Sequence, residues 1–168
     1  MAVKEHGNWR SFRHRNYRIL FPANAASNIG TWAQRVAQDW LILRLTDNSG
    51  TYLGLITAVQ FAPVLFFSLH GGALADRVNK RKLLIFTNFV GGLSSLGLGL
   101  LVLAGNVKIW HVFFFALTLG IASALDAPIR QSFTSEIIGH SDIANAVSLN
   151  SANFNAGRLV GPALSGFL

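Results

Sequence analysis

Three stretches of this sequence contain no Asp, Glu, Lys or Arg: residues 53–75, 83–107 and 109–125. A helix with one face in water meets a polar or charged group every turn or two, so a soluble amphipathic fold does not account for gaps of this length. Crossing a hydrocarbon layer of about 30 Å takes about 20 apolar residues in a helix. The first two stretches exceed that length, and the third reaches it with its flanks. A hydrophobic share of 51% is only slightly above that of a soluble domain. The constraint therefore lies in how the 14 Lys and Arg and the seven Asp and Glu are clustered.

Two further apolar stretches flank these three. Residues 19–45 carry Arg35 and Asp39 in an otherwise apolar run, and residues 143–168 carry Arg158. Lipid offers backbone amides no water partner, which leaves helices or closed barrels, and the alternation of a barrel strand is absent. The sequence thus predicts an all-α membrane protein. A basic amino terminus over 1–18 would precede a polytopic helical bundle over 19–168, with spans at about 19–45, 51–75, 83–105, 109–127 and 143–168. The last run stops without a polar exit segment, so the bundle is expected to be an amino-terminal piece, incomplete at its carboxyl end. Short connections predict that successive spans pack as neighbours, and residues 127–139 are expected to extend the fourth helix or form a surface helix.

A net charge of +7 raises the possibility of nucleic acid as a partner. The positions of the cations exclude it. Lys4, Arg10, Arg13, Arg15 and Arg18 precede the first span, Arg77, Lys80, Arg81 and Lys82 separate the second from the third, and Arg130 follows the fourth, whereas the opposite loops carry only Arg44 and Lys108. Such alternation is the positive-inside pattern, which places the amino terminus in the cytoplasm and the protein in the cell (inner or plasma) membrane. The first apolar run continues through Trp32 and Trp40 and is expected to be retained, not cleaved as a signal. The absence of cysteine excludes disulfides and thiolate metal sites within this sequence. No cofactor or metal is expected: His70 and His111 lie near span ends as weak proton-relay candidates, without metal-ligand spacing. A nucleotide-binding glycine loop, a nucleophile elbow and paired catalytic carboxylates are all missing, so no enzyme activity is expected and no catalytic residue is assigned.

The segment 71–82, GGALADRVNKRK, carries Gly72, Leu74, Ala75, Asp76, Arg77 and Arg81 in an arrangement that resembles the loop signature between the second and third spans of the major facilitator superfamily. Asn79 stands at the usual glycine, which the tolerance of Asn for a left-handed turn would explain. The resemblance implies that Gly72, Asp76, Arg77 and Arg81 form a gating latch against a second six-helix half, and a loop that merely sets topology is the plainer alternative. The fifth span ends in AGRLVGPALSGF, similar to the antiporter signature of the same superfamily at Gly157, Gly161, Pro162 and Gly166, with Ser165 in place of one glycine. Export by exchange is what that likeness implies, beside a purely structural kink. Together with AQRVAQDWLILRLT, DAPIRQSF and ANAVSLNSANFNAGRLVGPALSG, these motifs resemble the branch containing the enterobactin exporter and macrolide efflux proteins.

On that resemblance the chain holds the first five of twelve transmembrane helices of the major facilitator fold. The implied function is a secondary active exporter of a drug, siderophore or metabolite, working by alternating access with proton-coupled antiport. Its partners would be the lipid bilayer, a small-molecule substrate, protons and the missing carboxyl-terminal half. A non-transporting membrane scaffold or receptor that keeps the fold is the alternative. An arginine that many drug:proton antiporters carry early in the fourth span is replaced here by Ala116, so coupling through that residue is not implied.

A charge near the bilayer centre costs about 2.5–3.5 kcal/mol on insertion scales, which makes each one a functional candidate. Arg35 and Asp39 are one helical turn apart and can pair, either facing the cavity, with Asp39 as a proton-responsive carboxylate and Arg35 as its partner or a contact for anionic cargo, or with Asp39 close to the outer surface beside Arg44 and Thr46. Arg158 has no acid within a turn and must find a partner on another helix, point into a water-filled cavity or snorkel to the inner face. Asp126 and Arg130, also four apart, are either a gating pair or a solvated surface pair. Asn24, Asn28, Gln34 and Gln60 rank below these charges, because polar groups in membrane helices more often hold helices together.

Overall fold

The structure, a computed structural model, describes residues 10–68, 78–138 and 143–167. A short 3-10 helix, Arg10–Arg13, leads into five α-helices: α1 Arg15–Leu45, α2 Gly50–Ser68, α3 Lys80–Leu103, α4 Ile109–Ile138 and α5 Ile143–Phe167. No strand occurs among the described residues. Residues 127–138 continue α4 without a break, despite Pro128.

Three helical windows are long and apolar enough to cross a membrane by length and composition: Gly50–Phe67, Lys80–Leu103 and Ile109–Ile138. Length is not what sets α1 and α5 apart, since at about 1.5 Å per residue both exceed 30 Å. Their polar content is: α1 carries Arg35 and Asp39, and α5 carries Asn145, Asn150, Asn153, Asn155 and Arg158. These two polar-bearing helices pack most extensively on each other, where their polar groups meet protein in place of lipid.

Turn chemistry closes the ends of α1 and α3. After α1, Asp47 and Asn48 adopt positive φ values of 49° and 62°, and the Asn48 amide returns to the Leu43 carbonyl at 2.9 Å. Asp and Asn tolerate this region because their short polar side chains bond locally. Gly105 does the same after α3 at φ 68°, with Asn106 N–H bonding to Leu101 O and Gly105 N–H to Val102 O. This pair of bonds is a Schellman closure, which satisfies carbonyls the helix end leaves open. Lys108 N–H then donates to His111 Nδ1 at 3.0 Å, so His111 caps the start of α4.

Two sequence expectations change. Asn79 is extended, at φ −71° and ψ 99°, and not left-handed; its side-chain oxygen accepts from the Lys82 amide at 3.1 Å. It serves as the N-cap of α3, a position that favours Asn for that hydrogen bond. Successive helices are also not all neighbours, because α2 packs on α4 and α1 in preference to α3. Gly120 of α4 is the reason: a Cβ there would stand 2.8 Å from Gln60 O and 3.2 Å from Pro63 Cγ, so only a glycine lets the α2 backbone settle this closely.

Three apolar clusters stabilise the bundle. Ile42, Ile56, Leu98, Val112 and Ala116 join α1 to α4 at one end. Tyr17, Ile138 and Ala146 fill the other, with Phe12 and Phe21 packed against them. Leu84 and Ile129 join α3 to α4. Ser11 donates from both its amide and its hydroxyl to Asn145 Oδ1, at 3.2 and 2.8 Å, and Tyr17 donates to Asn150 Oδ1, tying the entry segment to α5. Large apolar side chains such as Ile85, Phe89, Leu96 and Leu103 are exposed among the described residues.

Candidate functional site

Between α1, α3, α4 and α5 lies an open cavity of about 930 Å³. Its walls follow helical periodicity: Asn24, Asn28, Thr31 and Arg35 line one stripe of α1, Thr87, Gly91 and Ser95 one stripe of α3, Asp126 and Arg130 one stripe of α4, and Asn150, Phe154 and Arg158 one stripe of α5. Spacings of three and four put these residues on single faces. Ser27, Trp32, Gln34, Asn88 and Asn153 flank these stripes and also line the cavity.

One wall holds a polar network across three helices. Arg130 Nη2 lies 2.5 Å from Asp126 Oδ2, one turn apart on α4, and Nε donates to the same oxygen at 2.6 Å. The other carboxylate oxygen accepts from Thr87 Oγ1 at 2.8 Å and from Asn88 Nδ2 at 3.2 Å, both on α3. Asn88 Oδ1 in turn accepts from Ser27 on α1 at 2.7 Å, and Arg130 donates to Asn24 Oδ1. Asp126 and Arg130 are each 17% exposed and border the open cavity. Charge-assisted bonds are about twice as strong as neutral ones, which suits them to fix α1, α3 and α4 relative to one another.

A different chemistry occupies the other wall. Arg35 and Asp39 do not close a salt bridge. Gln60 Nε2 donates to Asp39 Oδ1 at 3.1 Å and to Gln38 Oε1 at 3.3 Å, which turns Asp39 toward α2. The Arg35 guanidinium carbon instead lies over two rings, 5.2 Å from the centroid of Trp32 and 4.4 Å from that of Phe61. Arg35 is only 7% exposed and its Nε has no hydrogen-bond partner. Arg158, from α5, lies over the same Trp32 ring at 5.5 Å, and Phe154 meets that ring edge-on. Each cation–π contact contributes about 0.5–2 kcal/mol, less than the cost of holding a guanidinium away from water without an acceptor.

Small residues bring these walls together. A Cβ on Gly161 would stand 2.7 Å from Trp32 Cβ and 2.8 Å from Ala33 N, and one on Gly157 would stand 3.0 Å from Asn28 Cβ. Ser165 Oγ donates to Ala33 O at 2.7 Å. Gly157, Gly161 and Ser165 of the antiporter-like segment therefore seat α5 directly on the α1 backbone, with Pro162 inside the helix beside them. Gly166 faces open space.

Of the loop signature, Gly72, Asp76 and Arg77 lie outside the described residues, as does His70. Arg81 stands in the first turn of α3 and borders a smaller concavity with Asn24, Asn88 and Arg130. Its neighbour Lys80 bonds to Glu136 on α4. Among the described residues no three His, Asp or Glu side chains gather as a metal site. Sequence reasoning did not single out Trp32, Thr87 or Asn88. Their signal was the three-and-four spacing of polar groups along otherwise apolar helices.

Residues 6–168 match the family model described as transmembrane secretion effector. The chain belongs to the major facilitator superfamily. Within that superfamily it is 29% identical over 152 residues to the staphyloferrin A transporter of Staphylococcus aureus, covering 90% of this chain and 38% of that one. It is 26% identical to the multidrug efflux pump Tap of Mycolicibacterium fortuitum, covering 89% of this chain and 37% of the pump. Against the enterobactin exporter EntS of Shigella flexneri the identity is 23%, covering 92% and 38%. The chain thus spans less than two-fifths of the length of these curated relatives. No solved structure matches it. As a member of this transporter superfamily the chain is an integral membrane protein of a non-enzyme family.

Proposed function

We propose that this chain forms the amino-terminal membrane bundle of a secondary exporter in a bacterial plasma membrane, with α1–α5 as its first five spans and a carboxyl-terminal continuation supplying the second half. The carrying observation is the cavity between α1, α3, α4 and α5, lined by charged and amide side chains at depths where such groups are expensive. Cavities at the midplane between repeats are where secondary transporters hold cargo and alternate access. The relatives' names, which include a siderophore transporter, a siderophore exporter and a multidrug efflux pump, support a small-molecule cargo moved outward.

Each candidate residue takes a distinct role in this reading. Arg35 and Arg158 face cargo. The Asp126–Arg130 pair, with Asn24, Thr87 and Asn88, is a gating network near the cytoplasmic side. Gly157, Gly161 and Pro162 allow α5 to bend and seal against α1. Gly72, Asp76, Arg77 and Arg81 latch the loop between α2 and α3 to the second half. Asp39, held by Gln60 rather than by a cation, is the carboxylate through which protons couple to export.

Proteoliposomes of the full-length protein test this reading with a panel of fluorescent cargoes. Flux should be driven by an imposed pH gradient and collapse with an ionophore. Asp39→Asn should abolish the pH dependence while leaving downhill flux within about threefold of wild type. Flux of Asp39→Asn that still follows the gradient would remove the proton role. Absence of any flux would favour the scaffold alternative.

A further inference from the structure

The cavity is cationic, and its cations are not equivalent. Three arginines, Arg35, Arg130 and Arg158, line it against one acid, Asp126. That acid is committed to Arg130 and to hydroxyl and amide donors from α3. Arg35 and Arg158 have no carboxylate within salt-bridge distance and converge on the Trp32 indole from different helices, at 5.2 and 5.5 Å. More than nine-tenths of Arg35 is buried, and its Nε–H has no acceptor. Asn24 Nδ2 and Gln34 Nε2, on the same stripe of α1, are also buried donors without acceptors. Unmet groups of one kind are concentrated here: donors and positive charge, beside the aromatic faces of Trp32, Phe61 and Phe154.

We infer that the cargo is an organic anion, carrying a carboxylate or a similar planar oxyanion next to an apolar or aromatic body. This rests on the transport reading above and names its substrate class. Guanidinium presents paired N–H donors that match a carboxylate, and a buried donor gains most from the acceptor it lacks. Both guanidiniums share the Trp32 ring, and an anion at this wall of the cavity would offset their like charge. A cationic cargo, by contrast, would meet two unpaired guanidiniums and no free acid.

The test is equilibrium binding to the full-length protein in detergent, read as energy transfer from tryptophan to three matched probes: 1-pyrenebutyrate, 1-pyrenebutanol and 1-pyrenemethylammonium. The butyrate is expected to bind at least about tenfold more tightly than the other two. Arg35→Gln and Arg158→Gln should each weaken the butyrate about tenfold while leaving the butanol unchanged, and Arg158→Lys should restore most of the loss. Should Arg35→Gln fail to fold by its melting curve, the Arg158→Gln and Arg158→Lys pair decides alone. Equal binding of butyrate and butanol, tighter binding of the ammonium, no binding of any probe, or a preference that survives Arg158→Gln each overturns the inference. Binding is read without flux: an anion-selective site in a protein that moves nothing sinks only the transport reading, and pH-driven flux without anion preference sinks only this one.

Discussion

Single atoms decide how closely the two polar-bearing helices approach. Gly161 has no room for a methyl, whereas Gly166, one and a half turns further on, faces nothing within 4 Å. Gly161→Ala would drive a Cβ into the backbone nitrogen of Ala33 and the Cβ of Trp32, neither of which can swing aside. Overpacking of this kind costs about 1–3 kcal/mol. Thermal unfolding in detergent should show Gly161→Ala destabilised by that amount and Gly166→Ala unchanged; equal melting of both would refute the close seat of α5 on α1. Trp32 is another residue whose role depends on its partners. Within the sequence it looked like one more apolar position in the first span, because the residues that give it meaning, Phe154 and Arg158, come from another helix.

For elements, the all-helical class was legible in the charge-free stretches, since lipid leaves an uncharged backbone few other ways to satisfy its amides. The partner of each helix was not. Short connections argue for sequence neighbours, yet α2 seats on α4 because Gly120 removes the Cβ that would hold it off. A glycine in an apolar run announces close approach without saying to what. Asn79 likewise read as a substitute for glycine in a turn, when the first turn of α3 uses its side chain as a cap. Asn79→Ala should cost about 1 kcal/mol in thermal stability through loss of the bond to the Lys82 amide, and Asn79→Asp, which keeps an acceptor, should not. Had Asn79 served to allow a left-handed turn, Asn79→Gly would be at least as stable as Asn79→Asp. The charge network was half legible: spacing gave Asp126 with Arg130, while Thr87, Asn88 and Asn24 required the packing of α3 and α1 on α4.

Across the whole molecule, the distribution of cations predicts which end of the bundle faces the cytoplasm. The lack of cysteine in this chain lets that be read with single introduced thiols and little background. In intact cells a membrane-impermeant maleimide should label Ser49→Cys and Asn106→Cys, in the turns after α1 and α3, and should miss Lys82→Cys until the membrane is permeabilised. The reverse pattern would invert the proposed topology and with it the direction of export. The exposed Ile85, Phe89, Leu96 and Leu103 need a covering of lipid or protein in any orientation.

Trp32 is clasped from two directions: α1 supplies the indole, and α5 supplies both the glycine lying against its root and the arginine resting over its ring. Holding and releasing whatever rests there would therefore not require a separate door. Prising α5 away from α1 by even a few ångströms would strip one arginine from the indole and widen the chamber in a single stroke, so grip and passage would be settled by the same hinge.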